Sequence, residues 1–442
     1  MKLVPITIEA LSPLAFPERK PGVQFRTSLP YVPGAAIYGA LGMLLGPQWT
    51  DKQEFAALFR CIRCHNGYPA LVDDPWVRPL PMTAIQPKGG KSNGQRCPDR
   101  DGKPGRIRHP YDDALYARVC WEQQQPAALI YTPTDPDGRP WEAVGRTFYT
   151  LENEQCQAWR QNDTLATAGV ATREVAQRVL TRVSINRRRG TAEDQRLYSP
   201  LVLSEVMEDR DKRPVQTRFL GSIVVPDQDT QILTALQDIT HIGGRQTTGI
   251  GAVTIGERQD SIDPADHADA LEKRIAIVTE RFHKQAVLYQ ELGGSRWRDE
   301  QGREQETPGT IFTVNLLSDA ILLDHGWLPT NELNGDMLAE FTRRFTDEGE
   351  VLYPGIKARL IRSFTTTTTA GGWNVSWQRP KPTAVTTTMG SVFVFQVEGD
   401  LSDADYDALA RLERDGIGER RPEGYGQVRI CDEFHLLSSE EM

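Results

Sequence analysis

The chain has 442 residues and carries 51 Lys and Arg against 60 Asp and Glu, a formal net charge of −9. That length asks for two or three folded units of roughly 150 residues each, and the acidic balance excludes a protein that coats nucleic acid over its whole surface, so any such site must be local. No run approaches the ~18 apolar residues of a membrane span, and Met1 to Ile6 lacks the regions of a signal peptide, which predicts a cytoplasmic protein with no membrane contact.

Leu3 to Ala10 alternates branched and polar residues and predicts a strand, and Pro33-Gly34 opens a small, apolar segment to Leu45 that predicts a helix. In residues 60–110, Cys61-Ile62-Arg63-Cys64-His65 is followed by Pro, Gly and Lys with little periodicity, which predicts a loop-rich insertion. Strands are expected at Arg178 to Ile185 and Phe219 to Val225, with a short helix around Ile232 to Leu236. The glycine-dense string His241 to Gly251 then runs into a strand at Ala252 to Ile255. Asp260 to Asp269, acidic and broken by Pro264, reads as a linker, and Ala270 to Leu292 has helical periodicity. Further on come a strand at Thr310 to Leu316, a helix from Asp336 to Phe345, basic strands from Ile356 to Trp377 and a strand at Ser391 to Val397. Ser402 to Asp405 has the form of a capping box and starts a helix through Arg414. The string Gly416 to Gly426 follows and feeds the strand Gln427 to Ile430.

Both halves thus close as helix, glycine loop and strand, and a unit that also opens with strand and helix fits the βαββαβ order of ferredoxin-like sheets, which RNA-recognition modules share. The predicted fold class is α+β. Two tandem ferredoxin-like modules span 1–258, with the insertion at about 60–110, and 308–442, joined by an acidic linker and helix at 259–307. Glycine admits positive φ and lets backbone amides approach a ligand. Gly244, Gly249 and Gly251 in the first loop and Gly418, Gly424 and Gly426 in the second are therefore candidate RNA contacts, with Arg245, Arg420 and Arg421 supplying charge. Arg187, Arg188 and Arg189, next to Gly190, suit consecutive phosphates, and Trp373 among the basic strands offers a stacking face. Taken singly, each loop also reads as a tight turn and each basic run as a solvated face.

Leu11-Ser12-Pro13-Leu14, Tyr31-Val32-Pro33-Gly34 with the helix to Leu45, Thr181 to Arg187 and the two glycine loops resemble the RAMP superfamily of CRISPR-associated proteins over nearly the whole chain. Gly371-Gly372-Trp373-Asn374 and Pro380-Lys381-Pro382-Thr383, ahead of Gly390-Ser391-Val392, resemble the subunit that grips the repeat-derived 5′ tag of guide RNA in type III complexes. Within that group the chain is most similar to the Csx-ten family of type III-D systems. The resemblance implies a non-catalytic structural subunit that binds guide RNA (crRNA) and assembles with backbone RAMP subunits and a large polymerase-like subunit, meeting target RNA through the complex in antiviral defence. It assigns the glycine-loop role to Arg245, Gly249, Gly251, Gly418, Arg420, Gly424 and Gly426, and a tag-side role to Trp373, Asn374 and Lys381.

A structural zinc site is expected in the insertion, because Cys61-x-x-Cys64 and Cys97 offer three thiolates where apolar residues are few. Cys120 is the first choice for the fourth ligand, ahead of His109 and His65. Metal-free RNA cleavage needs an acid and a base near the 2′-hydroxyl, and Ala35 to Leu45 holds no histidine, while Leu11 to Pro33 has no aspartate and Glu18 as its one glutamate. No G-x-S-x-G elbow or H-E-x-x-H helix is present. Two other readings stay open: an endoribonuclease using His241 with Tyr31 or Tyr38, and a metal-stabilised interaction protein whose glycine loops meet neighbouring protein subunits.

Overall fold

The computed structural model of the protein describes residues 1–17, 28–88, 111–127, 140–151, 170–186, 191–227, 230–258, 268–299, 302–346, 348–374, 379–397 and 399–437. Its first unit begins with β1 (Lys2–Ala10), whose period-two pattern buries Val4, Ile6, Ile8 and Ala10. Helix α1 (Gly34–Leu45) presents Ile37, Leu41 and Leu45 on one stripe to the same core. Helix α2 (Lys52–Cys61) follows, started by Asp51, whose carboxylate accepts from the amides of Gln53 and Glu54. Strands β2 (Arg63–Cys64) and β3 (Tyr68–Ala70) both pair with β4 (Arg218–Val225), and α3 (Leu115–Gln124) lies in the chain between them. Helix α4 (Thr230–Gln237) and β5 (Val253–Glu257) complete the unit. β1 is central, antiparallel to β4 from Lys2↔Val225 to Glu9↔Arg218 and to β5 from Ile6↔Glu257 to Ala10↔Val253. The order across the sheet is β5-β1-β4, with β2 and β3 on the outer edge of β4.

Helix α5 (Ala268–Glu291) leads to the second unit, formed by β6 (Thr310–Leu316), α6 (Gly335–Thr342), β7 (Arg359–Phe364), β8 (Val392–Val397), α7 (Asp403–Asp415) and β9 (Val428–Ile430). Its sheet runs β7-β8-β6-β9, every neighbour antiparallel. The two sheets therefore repeat one connectivity. All six residues of β8 are buried, as expected of a strand covered on both faces. The Ser402/Asp405 capping box forms at the start of α7. Helix α6 stops at Thr342, three residues short of the predicted end, and Arg344–Phe345 turn outward as a short strand paired with Val351–Tyr353. The strand expected over Arg178 to Ile185 is two short strands, Gln177–Val179 and Arg182–Asn186, with different partners.

The expected insertion boundaries move. Arg63 to Ala70 belong to the first sheet, so the inserted material starts after β3. That material is not poor in core. Trp76, Leu80, Cys120 and Tyr149 join Phe282 of α5 and Phe434 in one buried cluster with the second sheet, while the first sheet keeps a core of its own. Polar locks accompany the apolar contacts: buried Arg78 pairs with Glu433, the Tyr149 hydroxyl donates to Asp432, and the Tyr116 hydroxyl donates to the carbonyl of His435 at 2.7 Å. Helix α5, expected over Ala270 to Leu292, packs in the same cluster through Leu271, Ile275, Val278 and Phe282.

Candidate nucleic-acid interface

The two glycine loops are built alike, bond for bond. Arg245 stands in the left-handed region at φ 62°, ψ 28°, and Arg420 at φ 56°, ψ 29°. Each arginine opens one turn of 3₁₀ helix, Gln246–Thr248 or Arg421–Glu423, closed by a left-handed glycine, Gly249 or Gly424. Ile242 N–H donates to the Gly251 carbonyl at 2.8 Å, and Ile417 N–H to the Gly426 carbonyl at 2.8 Å. Gly244 N–H donates to the carbonyl of Ala15, and Glu419 N–H to that of Ile321. Gly251 and Gly426 likewise donate to Pro13 and Asp319 in the segments leaving the first strand of each unit. Many amides that the sequence reading offered to phosphate are thus already donated within the chain. The glycines serve conformation and close backbone packing instead.

The surroundings of the loops differ. The second loop is docked on the first unit: a Cβ placed on Gly424 would lie 2.6 Å from the Cys64 carbonyl oxygen and 3.1 Å from Gly34 Cα. Asn66 fastens this junction, its Oδ1 accepting from the Gly34 amide at 2.9 Å while its own amide donates to Gln427 Oε1 at 3.3 Å. A Cβ on Gly249 would meet nothing within 4 Å, and Arg245 to Gly249 are exposed.

Around the docked loop, cations gather. Lys381 Nζ lies 2.7 Å and Arg420 Nη2 2.5 Å from the same oxygen of Glu423, and the Arg420 guanidinium stands 4.8 Å over the ring of Tyr425. Burial would raise the Glu423 carboxyl, but the hydrogen bond and charge of Arg420, then those of Lys381, hold it below its ordinary range. Arg63, in β2 beside the docked loop, has a guanidinium pushed down by burial first and by the neighbouring charge of Arg421 second. Its Nη1 donates to the carbonyls of Arg60 and Ile62. Arg420 and Lys381 therefore share the Glu423 carboxylate, and Arg63 feels the charges of both Arg421 and Asp415, where the loop packs through Gly424 on Gly34 at the start of α1. The sequence reading missed Arg63, because its membership depends on the docking of a loop more than 300 residues away and no local string signals that.

The structure joins the two glycine strings of the sequence reading to different neighbourhoods. Lys381 comes to the second loop, and Trp373–Asn374 pair with Arg379–Pro380 at the tip of that hairpin. Arg187, Arg188 and Arg189 lie outside the described residues. His241 is exposed, with Nδ1 3.1 Å from Thr240 Oγ1, and among the described residues neither Tyr31 nor Tyr38 is its hydrogen-bond partner. Tyr31 is buried and its phenol pushed far up, by burial first and Asp319 second; burial and then Cys64 push Tyr38 up to about 12. Neither phenol is poised to exchange a proton near neutrality.

Among the described residues, the expected zinc ligands Cys64 and Cys120 are not brought together. Cys64 is enclosed in the first core and Cys120 in the second, where its thiol faces the Phe282 carbonyl at 3.9 Å. Cys61 is exposed at the end of α2, and Cys97 and His109 lie outside the described residues. Burial pushes the thiols of Cys64 and Cys120 well up. Among the described residues no three His, Cys, Asp or Glu side chains stand where they could hold a metal ion.

Residues 272–432 match the family model described as CRISPR-associated protein (Cas_Cmr3). The match runs from α5 through β9, the second unit together with its supporting helix. A chain in a cryo-EM structure of the type III-B Cmr-beta complex bound to cognate target RNA is 11% identical, covering 88% of this chain and 86% of that one, with a TM-score of 0.35. For the same complex with target RNA and AMPPnP the values are 10%, 88%, 86% and 0.38. A chain of a type IV-B CRISPR complex is 10% identical over 59% of this chain and 92% of that one, with a TM-score of 0.22. No curated protein matches the chain.

Proposed function

We propose that this chain is a non-catalytic subunit of a type III CRISPR effector complex, that it consists of two ferredoxin-like RAMP modules, and that it holds the 5′ portion of guide RNA at the junction between them. One observation carries the reading: Arg420 and Lys381 gather on the Glu423 carboxylate of the docked loop, and Arg63 of β2 stands within reach of the charge of Arg421. A polyanion relieves the pressure that burial and the charge of Arg421 put on the Arg63 guanidinium, and arginine offers phosphate two parallel donors. The family match of the second unit supports the placement in CRISPR immunity, and the resemblance to the Csx-ten family narrows the class to type III-D. The hairpin that carries Lys381 also pairs Trp373–Asn374 with Arg379–Pro380, which supports a tag-side role for it. Backbone RAMP subunits and the large polymerase-like subunit are the expected neighbours.

The test uses the assembled particle, purified through a tag on this chain from cells that express the whole system. Arg63→Glu with Arg421→Glu is expected to lower guide RNA per particle several-fold and to expose its 5′ end to nuclease. Lys284→Glu, on the exposed face of α5, is the charge control and leaves both unchanged. If four phosphates are neutralised at the junction, binding of single-stranded RNA falls with salt at a log–log slope near −3, from ~0.7 per phosphate. Full guide occupancy in the double variant, with the particle intact, refutes the proposal.

A further inference from the structure

The second glycine loop docks on a protein surface, and the first, its structural twin, stands exposed. We infer that the first loop, Arg245 to Gly249, is a protein-docking element, and that its partner is a neighbouring subunit with a βαββαβ module whose first helix begins with glycine against an edge-strand carbonyl. The subunit assembly rests on the function proposed above; the docking geometry rests on the repeat alone.

Three observations favour protein over RNA as the occupant. The loops share their left-handed arginine, their 3₁₀ turn, their closing left-handed glycine and five corresponding backbone hydrogen bonds, so a surface that fits one backbone fits the other. What the second loop meets is specific: Gly424 packs on Gly34, the first residue of α1, where a Cβ would overlap the Cys64 carbonyl oxygen at 1.8 Å. That receiving geometry is a property of the module. The second unit repeats it, since Gly335 opens α6 and a Cβ there would lie 2.2 Å from the Ala358 carbonyl oxygen. Third, the amides of Ile242, Gly244, Thr248, Gly249 and Gly251 donate within the chain, which leaves the ridge of the loop to offer shape and side chains and not an amide cradle for phosphate.

The experiment places a photo-cross-linking residue at exposed position 247, Thr247→p-benzoylphenylalanine, in the particle isolated with its guide RNA, and maps the products by mass spectrometry. The expected product joins position 247 to a peptide of a neighbouring protein chain that contains the glycine-initiated first helix of such a module. Thr247→Trp, in parallel, is expected to lower the neighbour's stoichiometry at least several-fold while guide RNA bound to this chain stays unchanged. Cross-links to guide RNA, or a complete particle in Thr247→Trp, overturn the docking inference and leave the RNA-binding proposal standing. A chain that isolates with neither RNA nor partner subunits overturns both.

Discussion

His65 sits next to Cys64 on the first sheet, its Nδ1 2.7 Å from Ser222 Oγ, and burial first and Arg63 second push its imidazole down to about 4. The unfolded chain protonates this histidine near 6.5, so the folded state has its full stability above that pH. It loses stability as pH falls from 6.5 toward 4, while the unfolded chain takes up a proton that the fold refuses. Between about pH 7.5 and 5 the expected loss is roughly 2 kcal/mol, at ~1.4 kcal/mol per unit below 6.5. His65→Gln removes this dependence, and urea denaturation of both proteins at the two pH values checks it; parallel losses would refute the assignment. From sequence His65 was a reserve zinc ligand. The C-x-x-C-H string is local, but its burial follows from the pairing of Cys64 with Ile223, which the string does not encode.

The glycine loops were legible as elements, since each lies between a periodic helix and a branched strand and needs several positive φ values. Their roles were not legible. Docking involves Gly34 and Asn66, far from the loop in sequence, and similar glycine strings serve a docked loop and an exposed one. A pair of substitutions measures the difference. Gly249→Ala introduces a side chain at positive φ with open space around it and is expected to cost ~1 kcal/mol. Gly424→Ala has the same backbone conformation but drives a methyl group against the Cys64 carbonyl, so it is expected to cost about 2 kcal/mol more. Equal costs in denaturant unfolding would mean the second loop is not held by this contact. The helices α2 and α3 escaped notice for a related reason: α3 buries Leu115, Val119 and Cys120, too few apolar residues for a clear period beside a glycine-rich neighbourhood.

At the scale of the molecule, the inserted segment packs against the second unit, a contact the sequence alone did not suggest. The lock with the largest predicted effect is Glu433, a buried carboxylate that receives both Arg78 from the inserted segment and Arg429 from β9. Burial would raise its carboxyl, but Arg429, Arg78 and Arg274 hold it well below the usual range. Glu433→Ala takes away the anion that two buried guanidiniums share, leaving Arg78 with Asp432 at 3.7 Å and Arg429 with Glu413 at 3.2 Å, and is expected to destabilise the protein by about 3 kcal/mol. Limited proteolysis should then cut fastest within residues 71–217, and an unchanged cleavage pattern would show that the insertion is anchored otherwise. The same wiring bears on synthesis at the ribosome. β1 emerges before its partners, since Lys2 pairs with Val225 and Ile6 with Glu257, and the inserted segment waits for Phe434 and Glu433 before its own core closes. A nascent chain must carry an apolar strand and an unfinished core through most of its translation, exposed to chaperones or to aggregation. Translation that stops before the final strand releases a chain in which the insertion, α5 and the second sheet are all unsupported, so incomplete copies are marked for proteolysis by their topology before any assembly can accept them.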